Sequence, residues 1–310
     1  MKSLGVKISN IQMYLPETIV SNQNIIEEHN LRLKDQWVKD NIGITERRWT
    51  DLKASDLGSE VLKKLNIIPE ALIFATVSQD YNTPATATVV QGKTHPGKLY
   101  PAFDVTAACS GFLYALDIGQ RFIRTGMKQV ACIASEVRSR DLNKQDRRTV
   151  MLFGDGAAGV ILTPCEEGEV GIIDIKTMAD GRYHDAIVVP KGGKIEMRDA
   201  AQIFQSAIEQ MQNLVTDTLK ENNLNLDDID YFIIHQASKV IVEKVSEALE
   251  LPSNKVFMHF PTRGNMTSAS TAVSLCEAHE DKKIKKGDLV LVLATGGGFS
   301  AGISIMRWEI

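Results

Sequence analysis

The sequence predicts an α/β protein assembled from two similar halves, and three observations carry that expectation. Short apolar runs of β character, Leu72-Ile-Phe-Ala, Val130-Ala-Cys-Ile-Ala, Ala158-Gly-Val-Ile-Leu, Tyr231-Phe-Ile-Ile and Leu289-Val-Leu-Val-Leu-Ala, alternate with helical patterns, which is the signature of an α/β fold. The clearest helix is expected over Ala200 to Glu221, where Phe204, Ala207, Ile208, Met211, Leu214, Val215 and Leu219 recur at helical spacing. The third observation is a repeated order of elements: strand, loop, helix, strand, glycine-rich hairpin. It runs through Leu72–Thr76, Pro101–Cys109, Ser110–Thr125, Val130–Ala134 and Gly154–Leu162. It returns through Tyr231–His235, Val256–Asn265, Met266–Glu277, Leu289–Ala294 and Gly296–Ile305. The polar stretch Thr163–Gly168 marks the expected boundary, giving halves 1–165 and 166–310.

Composition narrows the function classes. With 44% hydrophobic and 24% charged residues among 310, the chain can bury sizeable cores and is not disordered. A net charge of −4 and an aromatic content of 6% supply neither the basic field nor the stacking platforms of a nucleic-acid binder. The four cysteines, Cys109, Cys132, Cys165 and Cys276, are widely spaced with no CxxC pair. Neither a metal site nor a disulfide framework is expected, and a reducing cytoplasmic setting fits. The first ten residues alternate like a strand and lack the apolar centre of a signal peptide. No run approaches the ~20 apolar residues of a membrane span.

Three separated residues suggest chemistry together. Cys109 follows the strand-like entry Asp104-Val-Thr-Ala-Ala and opens an apolar helix pattern. A helix N-terminus favours an anion, so the thiol pKa is expected to fall and the thiolate to become an available nucleophile. Taken alone, a buried capping cysteine is the commoner case. His235 emerges at the C-terminal end of a buried strand, where open α/β sheets bind ligands; a hydrogen-bonded core histidine explains it equally well. Asn265 in Thr262-Arg-Gly-Asn-Met-Thr-Ser, read singly, is a turn residue. As a set they can do more: a neutral imidazole N–H and an amide N–H can donate to one developing oxyanion, as enolate formation requires. The run Gly296-Gly-Gly-Phe-Ser-Ala-Gly lacks both phosphate-loop spacings. It is read as a close backbone approach that adds a second oxyanion-hole N–H beside that of Cys109.

These segments, with Tyr14-Leu-Pro-Glu, Trp37 through Gly43-Ile-Thr-Glu-Arg, Asp146-Arg-Arg-Thr and Phe153-Gly-Asp-Gly-Ala, resemble the β-ketoacyl-[acyl carrier protein] synthase III family of the thiolase superfamily along nearly the whole chain. The resemblance implies a five-layered αβαβα fold from two duplicated halves, normally a homodimer. It implies an acyltransferase in which Cys109 takes an acyl group from a thioester, with the N–H groups of Cys109 and Gly297 as oxyanion hole. His235 and Asn265 then support decarboxylative condensation with a malonyl- or β-ketoacyl-type thioester. Coenzyme A or acyl carrier protein thioesters are the implied substrates, Trp37 and Arg147 the implied adenine contacts, and no permanently bound cofactor is expected. Lys239, Lys244, Arg121 and Arg124 are candidate contacts for an acidic carrier protein.

The chain departs from the family pattern at Arg148 and Arg263, at Asn41 and Ser238, at Thr295, and in a shortened segment Lys191–Ile195. These departures make a specialised-metabolite pathway as good an expectation as fatty-acid initiation. Three rivals stay open at this level: a papain-like hydrolase with the same Cys, His, Asn order, a non-catalytic partner subunit of a condensing enzyme, and acyl transfer to an oxygen or nitrogen acceptor without decarboxylation.

Overall fold

Alternating side chains on two sheets build the molecule, described for residues 4–310 in a computed structural model that gives backbone alone for residues 200–204, 206 and 207. The first sheet places β1 (Val6–Tyr14), β7 (Asp155–Pro164), β6 (Val130–Val137), β4 (Ala71–Ala75) and β5 (Ala102–Val105) side by side in that order. The second runs β11 (Tyr231–Ile234), β12 (Leu289–Gly296), β13 (Ser300–Arg307) and β8 (Ile172–Ala179). Directions match strand for strand. The pair β4 and β6 is parallel like β11 and β12, and β6 and β7 are antiparallel like β12 and β13. An isolated parallel bridge of Phe232 to Val256 stands where β5 flanks β4.

The period of two in each strand feeds two different cores. In β4, Leu72 and Phe74 face an outer layer of α3 (Ala54–Leu65) and α4 (Thr86–Thr94), while Ala71, Ile73 and Ala75 face α5 (Gly111–Arg124). In β12, Leu289, Leu291 and Leu293 face α6 (Ala200–Glu221) and α7 (Lys239–Ala248), while Val290, Val292 and Ala294 face α9 (Ala269–Glu280). Helices α5 and α9 therefore form a middle layer between two sheets, and the architecture is the five-layered αβαβα arrangement. Every residue of α9 from Ala269 to Ala278 is buried. A helix touched by both sheets needs small, apolar or hydroxyl side chains all round, which is why α9 lacks an amphipathic stripe.

Shorter elements cap one end: the ribbon β2 (Ile19–Ser21) with β3 (Glu46–Arg48), α1 (Asn22–Glu28), α2 (Asp35–Asn41), the ribbon β9 (Ile187–Val188) with β10 (Glu196–Met197), and α8 (Phe260–Arg263). Ile25, Val38, Leu142, Val150, Met151, Phe153 and Ile195 close the cap's own core. Arg47 is buried beside it and donates from Nη2 to Asn22 Oδ1 and the Met151 carbonyl, each at 2.7 Å. Burial pulls its pKa down to about 10.

Three sequence expectations need adjusting. The α-helix after Cys109 starts two residues later, at Gly111, after a 3₁₀ turn over Ala108–Ser110. Thr163 and Pro164 belong to β7, so the link between the sheets begins only at Cys165. The helix α6 has the expected bounds and buries Met211, Leu214, Val215 and Leu219, but the side chains of Phe204 and Ala207 lie outside the described residues.

The Phe74 ring is fully buried and fills the space over Gly58, where an added Cβ would stand 2.7 Å from its Cζ. Phe74→Ala is expected to cost about 3–5 kcal/mol in unfolding free energy. Urea unfolding followed by circular dichroism measures it, and a loss under about 1 kcal/mol would contradict this account of the outer core.

Candidate active site

The C-terminal ends of β4, β6, β11 and β12 converge on one cavity of about 600 Å³. Its wall includes Cys109, His235, Asn265 and Gly297, residues drawn from both ends of the chain.

Cys109 sits where the backbone is forced. Ala108 before it has φ +45°, a left-handed value that costs an alanine roughly 1–2 kcal/mol. The strand β12 ends against the same turn: a Cβ added to Gly296 would stand 2.5 Å from the Cys109 nitrogen. Only glycine allows that approach. The Ser110 and Ser300 hydroxyls lie 2.8 Å apart and reach the Ala107 carbonyl at 2.8 and 2.9 Å, tying the turn to β13.

The thiol does not behave as its position in sequence suggests. Burial first, and then the charge of Glu136, push the Cys109 pKa up to about 12, with Arg138 opposing. A helix N-terminus contributes only about 0.3–1 kcal/mol within its first turn, and here the α-helix starts beyond the cysteine. Desolvation of the thiolate wins, and the resting group is a thiol.

His235 continues the β11 ladder, its N–H donating to the Leu293 carbonyl at 2.7 Å. Its ring is buried, and neither Nδ1 nor Nε2 has a hydrogen-bond partner. Burial, aided by His259, pulls its pKa down to about 3. The imidazole is therefore neutral at ordinary pH, with one free N–H and one free lone pair.

Asn265 is held by backbone from the opposite half of the chain: its N–H donates to the Leu152 carbonyl at 2.8 Å and its carbonyl accepts from the Gly154 N–H at 3.0 Å. Asn265 Oδ1 accepts from the Thr267 N–H at 2.8 Å, which fixes the amide and leaves Nδ2 as the donor toward the cavity.

The remaining expected positions are placed less centrally. Trp37 on α2 is half exposed and Arg147 is exposed; neither lines the cavity. Asn41 donates to the Trp37 carbonyl at 2.9 Å, and Arg148 is paired with Asp146 at 3.0 Å. Thr295 and Ser238 are in the cavity wall. Of the four candidate carrier contacts, Lys239 begins α7, beside Gly43 at the end of α2. Lys244 is paired with Glu247 at 2.6 Å. Arg121 and Arg124 occupy the last turn of α5, the end remote from Cys109 and about 20 Å from it along the helix axis, so they do not share the cavity.

Sequence reading passed over Glu136 and Arg138. Glu136 is fully buried and accepts from Ser268 Oγ at 2.5 Å, Ser78 Oγ at 2.6 Å and the Val77 N–H at 3.2 Å; burial raises its pKa. The usable signal was two charged residues at the C-terminal end of an otherwise apolar strand, the ligand-binding end of an α/β sheet. A second polar cluster lies behind the site. Ser274 Oγ is 2.8 Å from His259 Nε2, His259 Nδ1 is 2.8 Å from Glu277 Oε2, and Arg263 Nε donates to Glu277 Oε1 at 2.8 Å. Ser274 is wholly buried in α9, so no substrate reaches it.

Comparison with known proteins accords with this geometry. Residues 103–181 match the family model for 3-oxoacyl-[acyl-carrier-protein] synthase III, and residues 219–308 match its C-terminal counterpart. A β-ketoacyl-[acyl-carrier-protein] synthase III of Clostridioides difficile (strain 630) is 37% identical, over 98% of each chain. The chain belongs to this family of acyltransferases. A second relative, from Aquifex aeolicus, is 33% identical over 98% of this chain and 100% of its own. The crystal structure of 3-oxoacyl-[acyl-carrier-protein] synthase III from that organism superposes with a TM-score of 0.92 at 32% identity, covering 98% of this chain and 100% of its own. The structure from Pseudomonas aeruginosa PAO1 gives 0.91 at 26% identity, over 99% of each chain. The fold and the family exclude a papain-like hydrolase.

Two predictions come from this geometry. Alkylation of Cys109 by iodoacetamide, located by peptide mass spectrometry, should accelerate about tenfold per pH unit from pH 7 to 10, because the thiolate is the reactive form and its pKa lies above that range. His235 stays neutral above about pH 3 and adds no inflection near 6.5; a plateau beginning near pH 8.5 would refute the buried thiol. In the second, Gly296→Ala drives a methyl group into the Cys109 nitrogen and should lower acylation of Cys109 by about 10²–10³-fold, read as the rate of acyl-adduct appearance, while the far-ultraviolet circular dichroism spectrum is kept.

Proposed function

We propose that this enzyme carries out decarboxylative condensation: an acyl group held on Cys109 is joined to a malonyl- or β-ketoacyl-type thioester. The observation that carries the reading is a thiol, an unpartnered neutral imidazole and an oriented amide donor on the wall of one cavity. In the first half-reaction Sγ attacks the thioester carbonyl of the donor, its proton passing to the free lone pair of His235. The carbon–sulfur bond to the donor breaks, and the proton follows to the departing thiolate. In the second, a malonyl-type extender's bond to its carboxylate breaks, carbon dioxide leaves, and the electron pair moves onto the thioester oxygen, held by Asn265 Nδ2 and the His235 N–H. The enolate carbon then attacks the acyl-cysteine. The resulting oxyanion takes hydrogen bonds from the Cys109 and Gly297 N–H groups, the carbon–sulfur bond to Cys109 breaks, and Sγ leaves as a thiolate that takes up one proton from solvent.

The donors in this reading are coenzyme A or carrier-protein thioesters. Trp37 and Arg147 offer an indole face and a guanidinium to an adenine outside the cavity. Lys239, beside Gly43 just beyond the C-terminal end of α2, the helix that carries Trp37, is the best-placed carrier contact. A homodimer in the cytoplasm, and halves 1–165 and 166–310 descended from one duplicated unit, complete the proposal; the matched strand orders support the last. Fatty-acid initiation has the support of the named relatives, and specialised metabolism that of Thr295, Ser238 and the short Lys191–Ile195 segment. The structure contains no helix, among the described residues, long and apolar enough to cross a membrane.

Intact-mass spectrometry with a panel of acyl thioesters, followed by a malonyl-thioester chase, tests the mechanism. Wild type should gain one acyl group and lose it to a β-keto product, and Cys109→Ala should gain none. Asn265→Asp exchanges the donor for an acceptor and should still acylate while condensing about 10²–10³-fold more slowly. Equal condensation by Asn265→Asp, or acyl loss to water alone, would overturn the assignment.

A further inference from the structure

Arg138 has no part in the reaction just described, yet it lines the same cavity. It follows β6 directly, and its side chain is 4% exposed. A buried cation is costly unless its donors are satisfied, and this one is satisfied on one side only. Nη1 donates to Asp141 Oδ2 at 2.7 Å, while Nε has no hydrogen-bond partner. The unpartnered Nε lies on the guanidinium's side-on edge, which it shares with Nη2. That edge matches the two oxygens of a carboxylate.

The surroundings sharpen the match. The Phe153 ring lies 5.9 Å from the guanidinium carbon, and Leu152, Ile187, Ile195 and Met197 make the neighbouring cavity wall apolar. The arginine's charge also reaches Cys109, where it is the main influence lowering the thiol pKa against burial. Three carboxyl groups share its vicinity. Asp141 occupies the other side of the guanidinium, Glu136 is engaged by Ser268, Ser78 and the Val77 N–H, with burial raising its pKa, and Asp155 accepts from the Arg138 backbone N–H, from Ser139 and from the Thr50 N–H. None takes Nε.

We propose that Arg138 selects an acyl donor that ends in a carboxylate, a short dicarboxylic acid joined through one carboxyl to its thiol carrier, and grips the free carboxylate while the other end is transferred to Cys109. The inference rests on the condensing reading of this cavity and deepens it by naming the starter class. The transfer itself is unchanged: the Sγ–carbon bond forms, the carbon–sulfur bond to the donor breaks, and the thiol proton goes to the departing thiolate. The distal carboxylate is a spectator held by charge-assisted hydrogen bonds, which discriminate because an uncharged chain end leaves the buried Nε without a partner.

Succinyl- and glutaryl-coenzyme A, each set against its uncharged counterpart, butyryl- and pentanoyl-coenzyme A, test the proposal with wild type, Arg138→Leu and Arg138→Lys. The rate of Cys109 acylation is read by intact mass, followed by a malonyl-thioester chase. Wild type should favour the carboxylated donor of each pair at least about tenfold, Arg138→Leu should lower that ratio by about 10- to 100-fold, and Arg138→Lys should keep part of it. A wild-type ratio at or below one, or a ratio unchanged in Arg138→Leu, overturns the inference. If the leucine variant does not fold, the wild-type ratio decides alone. Acylation and condensation with the uncharged donors only would remove the inference and leave the condensing mechanism standing; no adduct with any of the four would count against both.

Discussion

Backbone touching backbone, where loops from the two sheets meet, is the constraint on which the centre of this molecule depends. Gly296 at the end of β12 abuts the Cys109 nitrogen, and Gly154 at the start of β7 lies so close to the Arg263 carbonyl that a Cβ would collide with it. These contacts bring Cys109 and Gly297 into one wall and let Asn265 hydrogen-bond to Leu152 and Gly154 across more than 100 residues of sequence. A side chain at either glycine would separate the parts by roughly an atomic diameter, which is enough to take the backbone N–H groups of this wall out of hydrogen-bonding range of a shared partner.

Much of the architecture was legible because buried parallel strands leave an unmistakable mark. Val130 to Ala134 and Leu289 to Ala294 are apolar on both faces, as sheets covered on both sides require, and the repeated order of elements pointed to two similar sheets. Cys109, His235 and Asn265 could be singled out because they sit at strand ends and turns, where ligand sites form. The pKa of Cys109 could not be read: the favourable helix end is local and visible in sequence, whereas the desolvation that outweighs it comes from residues far along the chain. Arg138 was missed for a related reason. A charged residue after a strand is ordinarily solvated, and nothing in the sequence shows that Phe153 and the β9–β10 ribbon enclose this one.

Burial decides which polar clusters can act. Ser274, His259 and Glu277 form a chain of hydrogen bonds with the connectivity of a hydrolytic triad, but the serine is sealed in the middle layer. Cys109, with weaker local support, faces a cavity. Connectivity among side chains is thus no guide to chemistry without a route for substrate, and α9, enclosed by both sheets, offers none. The neutral His235 shows the complementary effect: the desolvation that deprives it of charge leaves both its nitrogens available to a reacting molecule.

The raised pKa of Cys109 also bears on the enzyme's durability in an oxidising environment. Peroxides attack thiolates, and susceptibility follows thiolate fraction and exposure. A cysteine of ordinary pKa 8.5 is roughly 3% thiolate at pH 7, and burial pushes Cys109 well above that, leaving a far smaller ionised fraction. Folding therefore lowers the thiolate fraction of Cys109, the form that peroxides attack, before access is considered. The newly made or unfolded chain has no such shelter.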